Sequence, residues 1–190
     1  MPPQGINETP LARITDIDSV GQFAADQDGR KLAVSRRGLQ LLDLESGTKQ
    51  KLSSVSPTAL AWSPDGSVLA AAFPITGYET RVELYSAQGA LLHETLLPVT
   101  LSQMVWSARG DLLVTGFALK IYSFGGNLRQ VLYQVDTQKV VERVLADTTL
   151  KPATAKKLMP IMQSVQPVVF SPQGDELVFV ELHDPPELLP

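Results

Sequence analysis

Apolar residues along this chain come in short runs separated by clusters of turn-forming residues. SVLAAAF (67–73) and ELVFV (176–180) are apolar at successive positions, as expected of a strand covered on both faces. RVELYSA (81–87) alternates instead, Val82 and Leu84 against Glu83 and Tyr85, and Leu119 and Ile121 alternate in the same way against Lys120 and Tyr122. That period of two belongs to a strand with one face in the core. The clusters between the runs, such as SPDG (63–66), ESG (45–47) and SPQG (171–174), supply the backbone conformations of tight turns. The pattern predicts an all-β chain of short antiparallel strands.

The pattern also repeats. Aligned on a turn glycine, AADQDGRKLAV, AWSPDGSVLAA, VWSARGDLLVT and VFSPQGDELVF superpose at Gly29, Gly66, Gly110 and Gly174. The intervals are 37, 44 and 64 residues, the first two close to the roughly 40 to 45 residues of a propeller blade. Within the second unit, TALAW, SVLAAAF, RVELYSA and ALLHETL read as four strands of a meander, joined through PDG, a longer loop and Gln88-Gly89. The units fall at about 13–52, 53–96, 97–133 and 163–190, with an insertion at about 134–162. In that insertion TQKVVERVLAD sets Val140, Val141, Val144 and Leu145 at helical spacing, and PATAKKLMPIM offers Pro152 as a first-turn residue before Pro160. The insertion is therefore expected to be partly helical, with a β-branched outer strand at VVERVL as the alternative.

WSPDG, FSPQG and LLDLESGTKQKL resemble the repeats of WD40 proteins and of the related exported propellers typified by the TolB propeller domain, over about residues 13–133 and 163–182. The Gly-His and Trp-Asp pairs of WD40 blades do not occur, and Leu42 stands where the Trp would sit. The resemblance implies a β-propeller-like stack of four-stranded antiparallel meander blades. It also implies a binding scaffold more often than an enzyme. Three complete units and the first two strands of a fourth make an incomplete ring, because propellers close with about four to eight blades. The expectation is a part of a longer protein, with a homodimer through open blade edges as the alternative.

Charge and composition narrow the partners. A net charge of −4 offers no basic field for nucleic acid. No apolar run approaches the roughly 20 residues needed to span a bilayer, so no membrane partner is expected. MPPQGINETP has neither the basic nor the apolar region of an export signal, and the compartment stays open. Cys is absent, and the nucleophile-elbow and phosphate-loop motifs do not occur, which argues against an enzyme and against a nucleotide cofactor; no cofactor is expected. His93 and His183 lie in separate units without metal-ligand spacing. Asp28 and Asp65 lack the D-x-D-x-D-G context of a calcium loop and read as turn residues.

Meander geometry selects the candidate site. Alternate connections lie at opposite ends of a sheet, so the A-B and C-D turns share one rim and the B-C and D-A loops share the other. The second rim collects SRRG with Arg36 and Arg37, FPITGYET with Tyr78 and Glu79, TGFALK with Phe117 and Lys120, and HDPPE with His183 and Asp184. Loops gathered at one end of a rigid scaffold are where binding resides. Paired guanidiniums suit a carboxylate or phosphate, and aromatics anchor interfaces. A second basic cluster, Lys151, Lys156 and Lys157, lies in the insertion. Three functions fit: a protein- or peptide-binding module, a propeller accessory to an enzyme elsewhere in a longer chain, or a small-molecule-binding propeller.

Overall fold

The computed structural model describes residues 21–76, 78–122, 125–137, 139–150, 168–171 and 176–179. Among them every regular element is a β-strand. The first sheet holds β1 (Phe23–Ala25), β2 (Lys31–Ser35), β3 (Leu39–Asp43) and β4 (Lys49–Ser53). The second holds β5 (Ala59–Trp62), β6 (Val68–Thr76), β7 (Glu79–Ser86) and β8 (Leu91–Leu97). The third holds β9 (Thr100–Trp106), β10 (Leu112–Tyr122), β11 (Gly125–Val135) and β12 (Val140–Leu150), and a hairpin of β13 (Val168–Phe170) and β14 (Leu177–Phe179) follows. Each four-stranded sheet is an antiparallel meander in chain order, as the repeats predicted.

One turn closes the first hairpin of each four-stranded sheet. Gly29, Gly66 and Gly110 hold φ of +66°, +68° and +85°, a region open to glycine at no steric cost. Each donates its N–H to the carbonyl three residues back, at 2.9 to 3.1 Å. The side chain of that same residue then accepts from the backbone beyond the glycine. Asp26 Oδ1 takes the N–H of Arg30 and Lys31, Ser63 Oγ that of Val68, Ser107 Oγ that of Asp111 and Ser171 Oγ that of Glu176. The recurring S-x-x-G is thus a hydrogen-bonded device in which a short side chain occupies donors that would otherwise end the strand unpaired.

Stacking of the sheets follows from strands that are apolar on both faces. One face of the second sheet, Leu69, Ala71, Phe73 and Tyr85, packs on Ala33 and Leu39 of the first. Its other face, Ala70, Ala72, Val82 and Leu84, packs on Leu112, Val114, Val131 and Val135 of the third. Ala70, Ala71 and Ala72 are fully buried, and their small side chains let neighbours approach from either side. The first strands β1, β5 and β9 lie beside one another in turn, which gives the stack its propeller-like form. Each fully buried Val, Leu or Phe contributes about 1.5–3 kcal/mol, so these two layers dominate the stability.

A polar staple registers the layers. Trp62 Nε1 donates to the carbonyl of Ala24 at 3.0 Å, and Trp106 Nε1 donates to the carbonyl of Ala61 at 3.1 Å. Ala24 and Ala61 stand five residues before the turn glycines of their own units and the two tryptophans four before theirs. The same bond therefore recurs from each sheet to the one before it. Phe170 holds this position in the fourth unit and has no N–H to offer.

Three readings of the sequence need correction. Val140, Val141, Val144 and Leu145 lie on the outer strand β12, in register with β11 from Val135↔Val140 to Gly126↔Leu150, and are not helical. The β-branched side chains of the three valines and a ready partner edge outweigh the ambiguous spacing. TGFALK is not a loop: Phe117 and Lys120 sit within β10, opposite Gln130 and Asn127. Its glycine, Gly116, marks a register shift against β9, where a Cβ would stand 2.2 Å from the carbonyl oxygen of Thr100. Lastly β7 is covered on both faces, since Glu83 and Tyr85 are each 5% exposed.

The staple makes a specific prediction. Trp62→Phe or Trp106→Phe keeps an aromatic ring and deletes one N–H···O=C bond, so each variant should lose about 0.5–1.5 kcal/mol. Urea midpoints measure the loss, and replacing both should cost close to the sum because the bonds lie in different layers.

Candidate functional site

On the B-C and D-A rim the structure forms an open cleft of about 450 Å³ between the first two sheets, lined by Arg36 and Arg37 with Gln22, Ser35, Ser56 and Thr58 among its walls. The walls are fixed by backbone. Ser35 Oγ donates to the carbonyl of Pro57 at 3.0 Å, and the N–H of Gly38 donates to Ser56 Oγ at 2.9 Å. Gly38 has φ +121°, and a Cβ there would lie 2.2 Å from the carbonyl oxygen of Ser53. No side chain fits, so the B-C turn presses directly on the D-A linker.

Arg37 is held against its own preference. Its φ is +48°, in a left-handed region that costs a residue with a Cβ about 1–2 kcal/mol. The turn closes through the N–H of Arg36 donating to the carbonyl of Gly38 at 2.8 Å, which leaves Arg37 at the apex with an exposed side chain. Among the described residues the Arg37 guanidinium makes no ion pair. Strain of this kind clusters at ligand-binding positions.

The other expected residues are placed differently. Tyr78, half-buried, and Glu79 lie on the same rim at the next sheet's hairpin, where the N–H of Tyr78 donates to Thr76 Oγ1 at 3.2 Å and Thr76 Oγ1 lies 3.5 Å from Glu79 Oε2. They do not line the cleft. Phe117 is fully buried and unavailable to a ligand. Lys120 belongs to β10. His183 and Asp184 lie outside the described residues.

The opposite rim is a network of acceptors. A hollow of about 200 Å³ there is bordered by Lys31, Asp43, Thr48, Gln50 and Gln88, and Lys31 Nζ bridges the first two sheets by donating to the carbonyl of Ala87. Hydrogen bonds from Ser46 hold the Asp43 carboxyl below its ordinary range. The hydroxyl of Ser63, with the backbone and hydroxyl of Ser67, lowers Asp65 to about 2. Both acids are committed to their turns. Among the described residues no three His, Cys, Asp or Glu side chains come together as metal ligands.

Between the sheets lies a polar cluster that pattern reading missed. Tyr85 donates its hydroxyl to Glu83 Oε2, Arg81 Nε stands 2.8 Å from Glu83 Oε1, and the Arg81 guanidinium lies over the Phe73 ring at 5.4 Å. The third sheet repeats the chemistry: Tyr133 donates to Glu142 Oε2 at 2.7 Å, with Arg129 3.3 Å from Glu142 Oε1. Burial first, then the neighbouring carboxylate, pushes both phenols above their ordinary range. The sequence signal was Arg followed four residues later by Tyr on the third strand, RVELY and RQVLY.

Comparison with solved structures places this architecture among known chains. An acylaminoacyl peptidase from Pyrococcus horikoshii is similar with a TM-score of 0.48 and 13% identity, over 65% of this chain and 24% of that one. TolB from Acinetobacter baumannii is similar with a TM-score of 0.41 and 15% identity, over 84% of this chain and 48% of that one. An uncharacterized protein from Listeria monocytogenes is similar with a TM-score of 0.41 and 9% identity, over 67% and 54%. The chain thus spans about a quarter to a half of the length of these proteins. No family model and no curated protein matches it. The likeness concerns the fold alone.

Two measurements test the local physics. Gly29→Ala meets nothing within 4 Å and should cost only the left-handed penalty of about 1–2 kcal/mol. Gly38→Ala adds a collision with the Ser53 carbonyl and should cost more, which chemical denaturation of the two variants will compare. Asp65 has a folded value of about 2 against 3.8, so its stabilisation is complete above the higher value and disappears as pH falls through the lower. The excess stability of the wild type over Asp65→Asn should therefore be flat above about pH 5 and shrink between about pH 4 and pH 2 in urea titrations.

Proposed function

We propose that this chain is a non-enzymatic, propeller-type interaction module that binds a protein or peptide on its B-C and D-A rim, with the Arg36–Arg37 cleft receiving a carboxylate. The observation that carries the reading is Arg37 in a left-handed backbone conformation at the mouth of a built cleft. A glycine would relieve that conformation; retaining arginine there is explained by a role for its side chain. The described lining supplies guanidinium, hydroxyl and amide groups and no carboxylate or imidazole. Such a set suits recognition of an anion over general acid–base turnover. Peptide recognition also accounts for the open shape, since a strand or loop can enter the cleft from the rim and extend toward Tyr78.

Selection of displayed random peptides against the wild type, with counter-selection on Arg36→Ala/Arg37→Ala, tests the reading. Enriched peptides should carry an Asp, a Glu or a free C-terminus and should bind the double variant at least tenfold more weakly, since charge-assisted hydrogen bonds contribute about 1.5–3 kcal/mol. Arg37→Gly should be more stable than the wild type by about 0.5 kcal/mol, the relief of strain less the added entropy of the unfolded chain, and yet bind less tightly. Equal affinity of wild type and both variants for every enriched peptide would move the site off this cleft.

A further inference from the structure

We infer that β8, the outer edge of the second sheet, docks an extended segment of another protein, which adds as a fifth strand and sets a Lys or Arg against Glu94. β8 is the last strand of its sheet, so one row of its backbone donors and acceptors has no strand partner among the described residues. It also bears Leu91, Leu92 and Leu96 at 54%, 52% and 55% exposure. By the period of two, Glu94 and Leu96 share a face, and Leu92 is the extra residue at the register shift between Leu91 and His93. A register shift opposite Leu84 and Tyr85 displaces the start of the strand, and the continuous ladder available to a partner runs from His93 to Leu97.

The two sibling edges make the contrast. β4 presents Lys49, Gln50 and Lys51 to solvent, and β12 presents Glu142 and Arg143 between its exposed valines. Lysine along an edge is a standard deterrent to strand addition. β8 contains none. Its one acid, Glu94, is half exposed and shares its basic partner with a second carboxylate. Arg81 lies 2.8 Å from the buried Glu83 and 3.8 Å from Glu94, so two carboxylates share one guanidinium and the group as a whole carries an excess of acid. Only an extended backbone can pair with the free ladder. Self-pairing in the antiparallel register that matches His93 with Thr95 would set Glu94 against Glu94, a like-charge pair that destabilises a sheet. A basic residue flanked two positions either side by apolar ones fits instead.

The probe is a seven-residue peptide, acetylated and amidated, of sequence Val-Thr-Leu-Lys-Leu-Thr-Val, followed on the full chain by amide chemical shifts and by fluorescence anisotropy of a labelled copy. Shift changes should concentrate at His93–Leu97. Leu92→Lys/Leu96→Lys, which gives β8 the character of β4, should keep its urea midpoint and lose binding by at least tenfold. Glu94→Lys should invert the preference, favouring the same peptide with Glu at its centre by about threefold to tenfold. Binding that ignores all three substitutions, shift changes elsewhere, no binding at millimolar peptide, or wild-type self-association abolished by the Leu92→Lys/Leu96→Lys change would each overturn the inference, the last by making a second copy the occupant.

Discussion

A four-stranded meander with apolar residues on both faces cannot stand alone in water, and the rest of this molecule depends on that constraint. β6 shows it most directly. Its residues from Leu69 to Phe73 are all fully buried, which requires a neighbouring sheet on each side. Alanine at three successive positions then becomes intelligible as spacing: larger side chains would hold the first and third sheets apart. Burial at this density is worth far more than any single polar contact. The tryptophan staples do not hold the layers together so much as set their register, fixing β5 against β1 and β9 against β5 where slippery apolar surfaces leave several alignments close in energy.

The same constraint explains why the buried carboxylate caught between the first two sheets comes with partners on both sides. Glu83 points into a layer with almost no water, where an isolated carboxylate is costly. Arg81 on one side and the Tyr85 hydroxyl on the other supply the missing partners. Burial that raises the phenol keeps it protonated, and a protonated phenol is the state that can donate. In the third sheet the carboxylate comes from the outer strand, at Glu142, with Arg and Tyr again on the strand before it. The Arg and Tyr pair thus recurs on the third strand whether the acid it holds is buried, as Glu83 is, or exposed, as Glu142 is.

Much of this was legible in the sequence because turns are local. Gly at positive φ, with Ser or Asp three residues earlier, announces itself in a few letters and located every first hairpin. What failed depended on distant partners. Val140 to Leu145 match a helix and a strand about equally well by spacing, and the decision came from β11, whose edge lay ready to pair. Phe117 was read as a loop residue, whereas it lies within the continuous strand β10, where Gly116 beside it accommodates the close passage of β9. Glu83 looked solvent-facing because its strand alternates, yet alternation in a stacked sheet distinguishes two interfaces and not inside from outside. In the candidate site the arginine pair was visible as residues, whereas the left-handed backbone at Arg37 was not, since nothing in the letters marks arginine for that conformation.

The cleft also separates its candidate binding groups from the links that hold its walls. Its walls are tied by links that recur from one sheet to the next: Ser35 Oγ holds the Pro57 carbonyl, and Thr80 Oγ1 holds the Val99 carbonyl at 2.8 Å. In each case a buried hydroxyl near the junction of the second and third strands grips the linker that leads to the following sheet. Side chains at the apex, Arg36, Arg37 and Tyr78, take no part in those links. The rim therefore combines a rigid frame, set by hydroxyl and backbone, with apex side chains that lie outside that frame. That separation is the physical condition under which one repeat architecture can serve many partners.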